Sequence, residues 1–307
     1  MLVEVALFLV GLAMLVAGAD RAVTAAADLA LYYGVSSFFI GVTVISIGTS
    51  IPEMTTSVYA ALYGAGDLVV GNIVGSETAQ ITLAIGIVAL IAPIVANRRN
   101  VLIYGGAMTL SMIIMVLALE DGVIIRSEGF LMMLAYVVFI HDLYTTEGGA
   151  EIVEDGDVVE AAPPRESVPW IVLGLLLVVV GGQIMVTNGV AVARLVGIPE
   201  YLVGLLTGLG TTAPEIVVAG VAAREGDVGI SVGALLGSNI TDPVFSLGVG
   251  ALVADVAVTD LAGVQTSMAY MLAVSFFVLA LMYWRYGIDR RTGVLCILLY
   301  LPSFLLL

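Results

Sequence analysis

The sequence predicts an all-α integral membrane protein of ten transmembrane helices, arranged as two inverted five-helix repeats. Three observations carry that expectation. Hydrophobic residues make up 61% of the 307-residue chain and its mean hydropathy is +1.13, whereas soluble domains are closer to ~45–50% apolar. Apolar runs of roughly 20 residues, the length that crosses a bilayer, recur from one end to the other. A block of the first half also returns in the second at a constant offset, with five helices between equivalent positions. An odd number makes the second copy enter the membrane from the opposite face.

The spans fall at about 2–19, 38–62, 67–92, 101–119, 128–143, 169–187, 201–223, 228–253, 262–283 and 292–306. No short apolar stretch ends in a small-residue cleavage site, so the first run is read as a retained helix. Between the fifth and sixth spans, Asp142 to Ser167 turns polar, with eight carboxylates, tandem glycines and Pro163-Pro164. That composition solvates a linker. The chain is thus divided into a first repeat at 1–141, an acidic linker at 142–168 and a second repeat at 169–307. Arg21, Arg98, Arg99, Arg165, Arg224, Arg285, Arg290 and Arg291 fall on one side of this layout, and Arg126 and Arg194 on the other. The positive-inside rule places both termini extracellular and the linker in the cytoplasm of a multi-pass plasma-membrane protein.

All ten basic residues are arginine, against 25 acidic ones, for a net charge of −15. Such a balance offers no surface for nucleic acid. It fits a surface kept soluble in high salt, hence a halophilic source. The single cysteine, Cys296, lies in an apolar run and excludes an internal disulfide or thiolate cluster.

The repeated block centres on Gly-Thr-Ser-Ile-Pro-Glu, Gly48 to Glu53, and Gly-Thr-Thr-Ala-Pro-Glu, Gly210 to Glu215. At an offset of 162, Gly48 pairs with Gly210, Glu53 with Glu215, Gly71 with Gly233, Gly75-Ser76 with Gly237-Ser238 and Gly86 with Gly248. A glutamate inside a span costs about 3 kcal/mol by insertion scales, so each marks a functional site. On a continuous helix Thr49, Ser50 and Glu53 share a face, as do Thr211, Thr212 and Glu215. Pro52 and Pro214 lack an N–H and free the carbonyls four residues back, where Gly48 and Gly210 let the backbone open.

A second element follows each motif. Ser76 with Gln80, and Ser238 with Asp242, are i, i+4 pairs presenting oxygens from a neighbouring helix, whose glycines allow close approach. The donor set is all oxygen, which suits a hard cation: Ca²⁺ takes 6–8 flexible oxygen ligands, and Na⁺ can use the same groups. Zinc or copper would recruit nitrogen or sulfur. Glu77, opposite Asn239 in the register, points at the site, a neighbouring helix or a water path, as a ligand or proton carrier. The bland alternatives are a Ser or Thr bonding back to its own helix and a Pro–Gly kink. His141 reads as interfacial, and Asp20 and Glu120 as solvated span ends.

These motifs resemble the two alpha-repeats of the cation/calcium antiporter superfamily, most closely the prokaryotic sodium/calcium exchangers, over nearly the full chain. The resemblance implies a Na⁺-driven Ca²⁺ antiporter working by alternating access, with the first and sixth helices sliding past the ligand-bearing core. It implies calcium-binding acids at Glu53 and Glu215, hydroxyl ligands at Thr49, Ser50, Ser76, Thr211, Thr212 and Ser238, carbonyl ligands at Ser46 and Gly208, and a central polar pair at Gln80 and Asp242. Gln80 stands where members have asparagine, and Thr212 where serine is usual. Glu77 is an acid outside the family's ligand set.

The nearest alternative is a Ca²⁺/H⁺ antiporter using the same acids. An enzyme acting on lipid phosphates would want Arg or Lys beside the anion, and no arginine lies in a span centre. A di-iron carboxylate bundle needs Glu-x-x-His pairs, and the chain has one histidine. The expectation is therefore a transporter and not an enzyme, functional as a monomer, with no prosthetic group and with Ca²⁺ and Na⁺ as its cargo.

Overall fold

The computed structural model describes residues 2–147, 162–196, 210 and 212–303. It is built of helices, and among the described residues seven are long and apolar enough to cross a membrane. A bent pair, Ser37–Thr49 and Ile51–Leu62, would make an eighth span. The chain forms two compact units, each drawing on both halves of the sequence: Met1–Thr49 with His141–Ala234, and Ser50–Ile140 with Leu235–Leu307.

In the first unit, α1 (Leu2–Tyr33) packs along the helix Pro164–Leu195. A Cβ built on Gly11 would stand 2.5 Å from the Met185 nitrogen and 2.7 Å from the Gly181 oxygen, and one on Gly18 would stand 2.6 Å from the Gly174 oxygen. Gly11 meets Gly181 and Gly18 meets Gly174, so the two helices run antiparallel with their backbones nearly touching. Small residues at such a crossing are what lets membrane helices gain packing contact. Ala22, Ala26, Ile40, Ile171, Val178, Val218 and Ile230 continue the unit's core. Both long helices outrun their hydropathy: α1 continues from the expected end near 19 to Tyr33, and its partner starts at Pro164 rather than 169. Asp20, Arg21 and Asp28 lower the hydropathy without breaking the backbone hydrogen bonds. The polar linker likewise begins later than its composition suggests, since the helix Arg126–Glu147 runs through residues 142–147.

In the second unit, the helix Arg98–Ala118 buries Tyr104, Met108, Met112 and Met115 along one stripe, the i, i+4 spacing of a helix packed on one face. It packs against the helix Leu261–Arg285, which buries Met268, Met271 and Met282 in return. Two-residue strands clip the ends of these helices. Ile94–Val95 pairs antiparallel with Gly287–Ile288, and Val123–Ile124 with Val256–Ala257. Gly287 has φ +138°, and a Cβ there would stand 1.9 Å from the Ile94 oxygen, so only glycine closes the first ribbon.

Element boundaries repeat at the sequence offset of 162. Gly66–Ala79 matches Val228–Thr241, the π-turn Gln80–Ala84 matches Asp242–Ser246, Ile85–Ile91 matches Leu247–Val253, and Ile94–Val95 matches Val256–Ala257. The long helices of the first unit, Leu2–Tyr33 and Pro164–Leu195, are both 32 residues long at the same offset.

Candidate functional site

The first motif does not lie on one continuous helix. The helix Ser46–Thr49 ends, Ser50 takes φ −77° and ψ 3°, and Ile51–Leu62 leaves at a bend of 43°. Pro52 therefore sits in the first turn of a new helix, where a missing N–H breaks no bond. The Met54 N–H still reaches the Ser50 carbonyl at 3.0 Å. The shared helical face expected for Thr49, Ser50 and Glu53 is thus interrupted between Thr49 and Ser50. Glu53 instead occupies the first turn of a half-helix, the end whose N–H groups favour negative charge. The second motif repeats the helix start. Thr212 precedes the helix Ala213–Glu225, Pro214 and Glu215 lie in its first turn, and the Ile216 N–H bonds the Thr212 carbonyl at 3.1 Å. Thr211 and Gly208 lie outside the described residues.

Gly48 and Gly210 are both closely packed. Gly48 is helical, and a Cβ on it would stand 2.4 Å from the Leu175 side chain. One on Gly210 would stand 2.3 Å from Val186. In the second element, Gly233 makes the close approach its sequence suggests, its built Cβ falling 2.5 Å from the Phe38 oxygen. For Gly71, no described atom lies within 4 Å of such a Cβ.

Within the second unit, four helical segments bring together Glu53, Ser76, Glu77, Gln80 and Asp242, and all five are buried. Ser76 Oγ donates to Glu53 Oε1 at 3.2 Å. Gln80 Nε2 donates to Asp242 Oδ2 at 3.3 Å, so the central polar pair meets across the 162-residue offset. Ser246 Oγ donates to the other Asp242 oxygen at 2.9 Å. Gln80 and Asp242 each begin a π-turn, a wide turn that re-aims side chains and clusters at functional positions. Glu77, between Ser76 and Gln80 in the chain, is fully buried too, and neither of its oxygens has a hydrogen-bond partner among the described residues. Asn239, its counterpart in the register, is buried too, and its amide donates to the Leu235 carbonyl at 2.8 Å.

Ser46, Thr49, Thr212 and Glu215 of the first unit are buried, as are Ser50 and Ser238 of the second. Thr49 Oγ1 donates to the Ser46 carbonyl at 3.3 Å, and Ser46 Oγ to the Val42 carbonyl, so both hydroxyls follow the back-bonding habit of membrane helices. Ser246 escaped the sequence reading. Its i, i+4 spacing from Asp242 was the available signal, hidden because its register partner is Ala84. Tyr136 was also missed; its hydroxyl lies 3.2 Å from Thr241 Oγ1, a contact between helices that no spacing announces. Among the described residues, no three Asp, Glu, His or Cys side chains are grouped to hold a metal ion.

The family model described as sodium/calcium exchanger protein matches residues 3–143 and 166–307. The inner membrane protein YrbG of Escherichia coli is 34% identical over 96% of this chain and 93% of its own. The sodium/calcium exchanger MaX1 of Methanosarcina acetivorans is 28% identical over 98% of this chain and 97% of its own. Among solved structures, the sodium-calcium exchanger NCX_Mj soaked without Na⁺ and Ca²⁺ is similar with a TM-score of 0.83 and 27% identity, over 99% of each chain. With the motifs and the family match covering both halves, the chain belongs to the sodium/calcium exchanger protein family and is a membrane cation/calcium antiporter.

Proposed function

We propose that the chain exchanges Na⁺ for Ca²⁺ across the plasma membrane by alternating access, as a monomer of ten helices in two inverted repeats. The observation that carries this reading is the buried acid in the first turn of a helix, occurring twice: Glu53 and Glu215 stand at the same place in two helices that start at the same register position, Ile51 and Ala213. A buried carboxylate is costly unless a cation accompanies it. A carrier built this way resists crossing empty, and that penalty enforces exchange.

The cation ligands we assign are Glu53, Glu215, Asp242, Gln80, Glu77, Ser50, Thr49, Thr211, Thr212, Ser76 and Ser238, with the carbonyls of Ser46 and Gly208. The two ribbons support the inverted repeats. Strand Ile94–Val95 corresponds to Val256–Ala257, yet each pairs with a strand of the other half, so the pairings exchange under the repeat. Charge supports the orientation with termini outside. The first ribbon is flanked by Arg98, Arg99, Arg285, Arg290 and Arg291, whereas the second is flanked by Glu120, Asp121, Asp255 and Asp260 with Arg126. The Gly11–Gly181 and Gly18–Gly174 crossing fits the first and sixth helices moving as one body. The linker at 142–168 then joins the repeats at 1–141 and 169–307 on the cytoplasmic side.

Glu77 favours one second reading. A buried acid beside the cation residues, with no hydrogen-bond partner among the described residues, could carry a proton, which would make the exchange Ca²⁺ for H⁺. Uptake of radioactive calcium into proteoliposomes separates the two. Uptake driven by an outward Na⁺ gradient at equal pH is the expected result, and uptake driven only by a pH gradient would overturn it.

A further inference from the structure

We propose that the second unit carries a binding site for an anionic phospholipid, with the acyl chain in a groove between two spanning helices and the phosphate on the arginines of the adjacent ribbon. The groove has a volume of about 530 Å³ and lies between the helices Arg98–Ala118 and Leu261–Arg285. Its walls are apolar, including Leu102, Leu110, Phe276 and Trp284, and Gly106 lines it without a side chain. Gly106 is exposed, and a Cβ built on it meets nothing within 4 Å. Both helices are of membrane-spanning length and composition, so the groove opens onto lipid and its natural filling is a hydrocarbon chain.

What makes the site selective is its polar end. Arg98 and Arg99 lie one helical turn before Val101 and Leu102, at the end of the groove. The Arg98 guanidinium lies 5.0 Å from the Tyr283 ring and 4.2 Å from the Tyr286 ring, and its Nε donates to the Tyr283 carbonyl at 3.1 Å, which fixes it beside two groove residues, Tyr283 and Trp284. The pairing Val95↔Gly287 brings the neighbouring connection alongside, with Arg285, Arg290 and Arg291. Half of the chain's ten basic residues thus flank one two-stranded ribbon, and all five are exposed. The acid between them is Asp289, which pairs with Arg285 at 3.0 Å. In a chain of net charge −15, this is a local excess of positive charge, and such clusters at a membrane edge attract anionic head groups.

Trp284 lines the groove and reports on it directly. With the second tryptophan removed by Trp170→Phe, the full chain is placed in nanodiscs holding a minor share of phosphatidylglycerol or phosphatidylcholine with brominated acyl chains. Brominated phosphatidylglycerol should quench Trp284 well beyond its share of the bilayer, and brominated phosphatidylcholine only in proportion to it. Arg99→Gln and Arg98→Gln should each reduce that preference by roughly fivefold. Gly106→Phe, which enters open space, should abolish the excess quenching while leaving the melting temperature unchanged. Equal quenching by the two lipids, or a preference that survives both arginine substitutions, would overturn the proposal and leave the arginines as topology signals only.

Discussion

Glu53 and Glu215 are buried at sites where an acid is expensive. Replacing either with glutamine keeps the shape and removes the charge that a divalent cation needs. Glu53→Gln and Glu215→Gln should each lower calcium exchange in proteoliposomes by about a hundredfold or more, ~2.8 kcal/mol, with the protein still folded by size-exclusion profile. Wild-type flux in either would remove that acid from the site. Glu77 calls for a different test, because its oxygens have no partner among the described residues. Glu77→Gln should weaken the apparent calcium affinity on the order of tenfold, ~1.4 kcal/mol. Glu77→Leu, which removes an unsatisfied buried polar group, should raise the melting temperature in calcium-free buffer. An unchanged affinity would leave Glu77 outside the cation's shell.

At the scale of elements, the glycines of the first unit divide by what surrounds them. A Cβ on Gly11 or Gly181 would run into backbone of the facing helix, which cannot swing aside as a side chain can. Gly11→Ala and Gly181→Ala should each destabilise by about 1–3 kcal/mol, read as a lower melting temperature; no loss would mean that the helices separate without cost. The ribbon end makes a pH prediction. Asp289 caps the last described helix, accepting from the Thr292 hydroxyl at 2.6 Å and the Thr292 N–H at 2.7 Å, and these bonds with the nearby arginines hold its carboxyl below the usual carboxylate range. A depressed value means that the contribution is complete above the unfolded carboxylate range and is lost as pH falls through the depressed one. Asp289→Ala should therefore melt below the parent at neutral pH and converge with it in strong acid. The sequence announced the register that sets these elements, because Gly48 to Glu53 and Gly210 to Glu215 are unmistakable copies. It hid the ribbons, since two-residue strands such as Ile94–Val95 leave no periodicity. It also hid the π-turns at Gln80 and Asp242, which depend on how a helix is packed and not on its composition. The bend at Ser50 was half legible: Pro52 signalled a disturbance, and only the structure places that proline in the first turn of a second helix.

At the scale of the whole molecule, charge is the property that packing explains least. The chain carries 25 acids against ten arginines, and five of those arginines are concentrated at one ribbon, so the rest of its polar surface is more acidic than the average suggests. Like charges at that density repel and oppose the compact state. The opposition depends on screening: the Debye length is about 10 Å at 0.1 M salt and about 3 Å at 1 M. The folded chain should gain stability steadily as salt rises into the molar range, the behaviour expected of a protein from a salt-rich cell. Removing ~1–2 kcal/mol of repulsion should raise the melting temperature by several degrees, at roughly 2–4 °C per kcal/mol for a chain of this order of size. Potassium chloride and sodium chloride should act alike if screening is the cause. A rise with sodium alone would instead report cation binding at the transport residues, and calcium titrated at fixed ionic strength isolates that contribution. A melting temperature unchanged from dilute to molar potassium chloride would show that the acids are already neutralised within the fold, and the halophilic reading would fall.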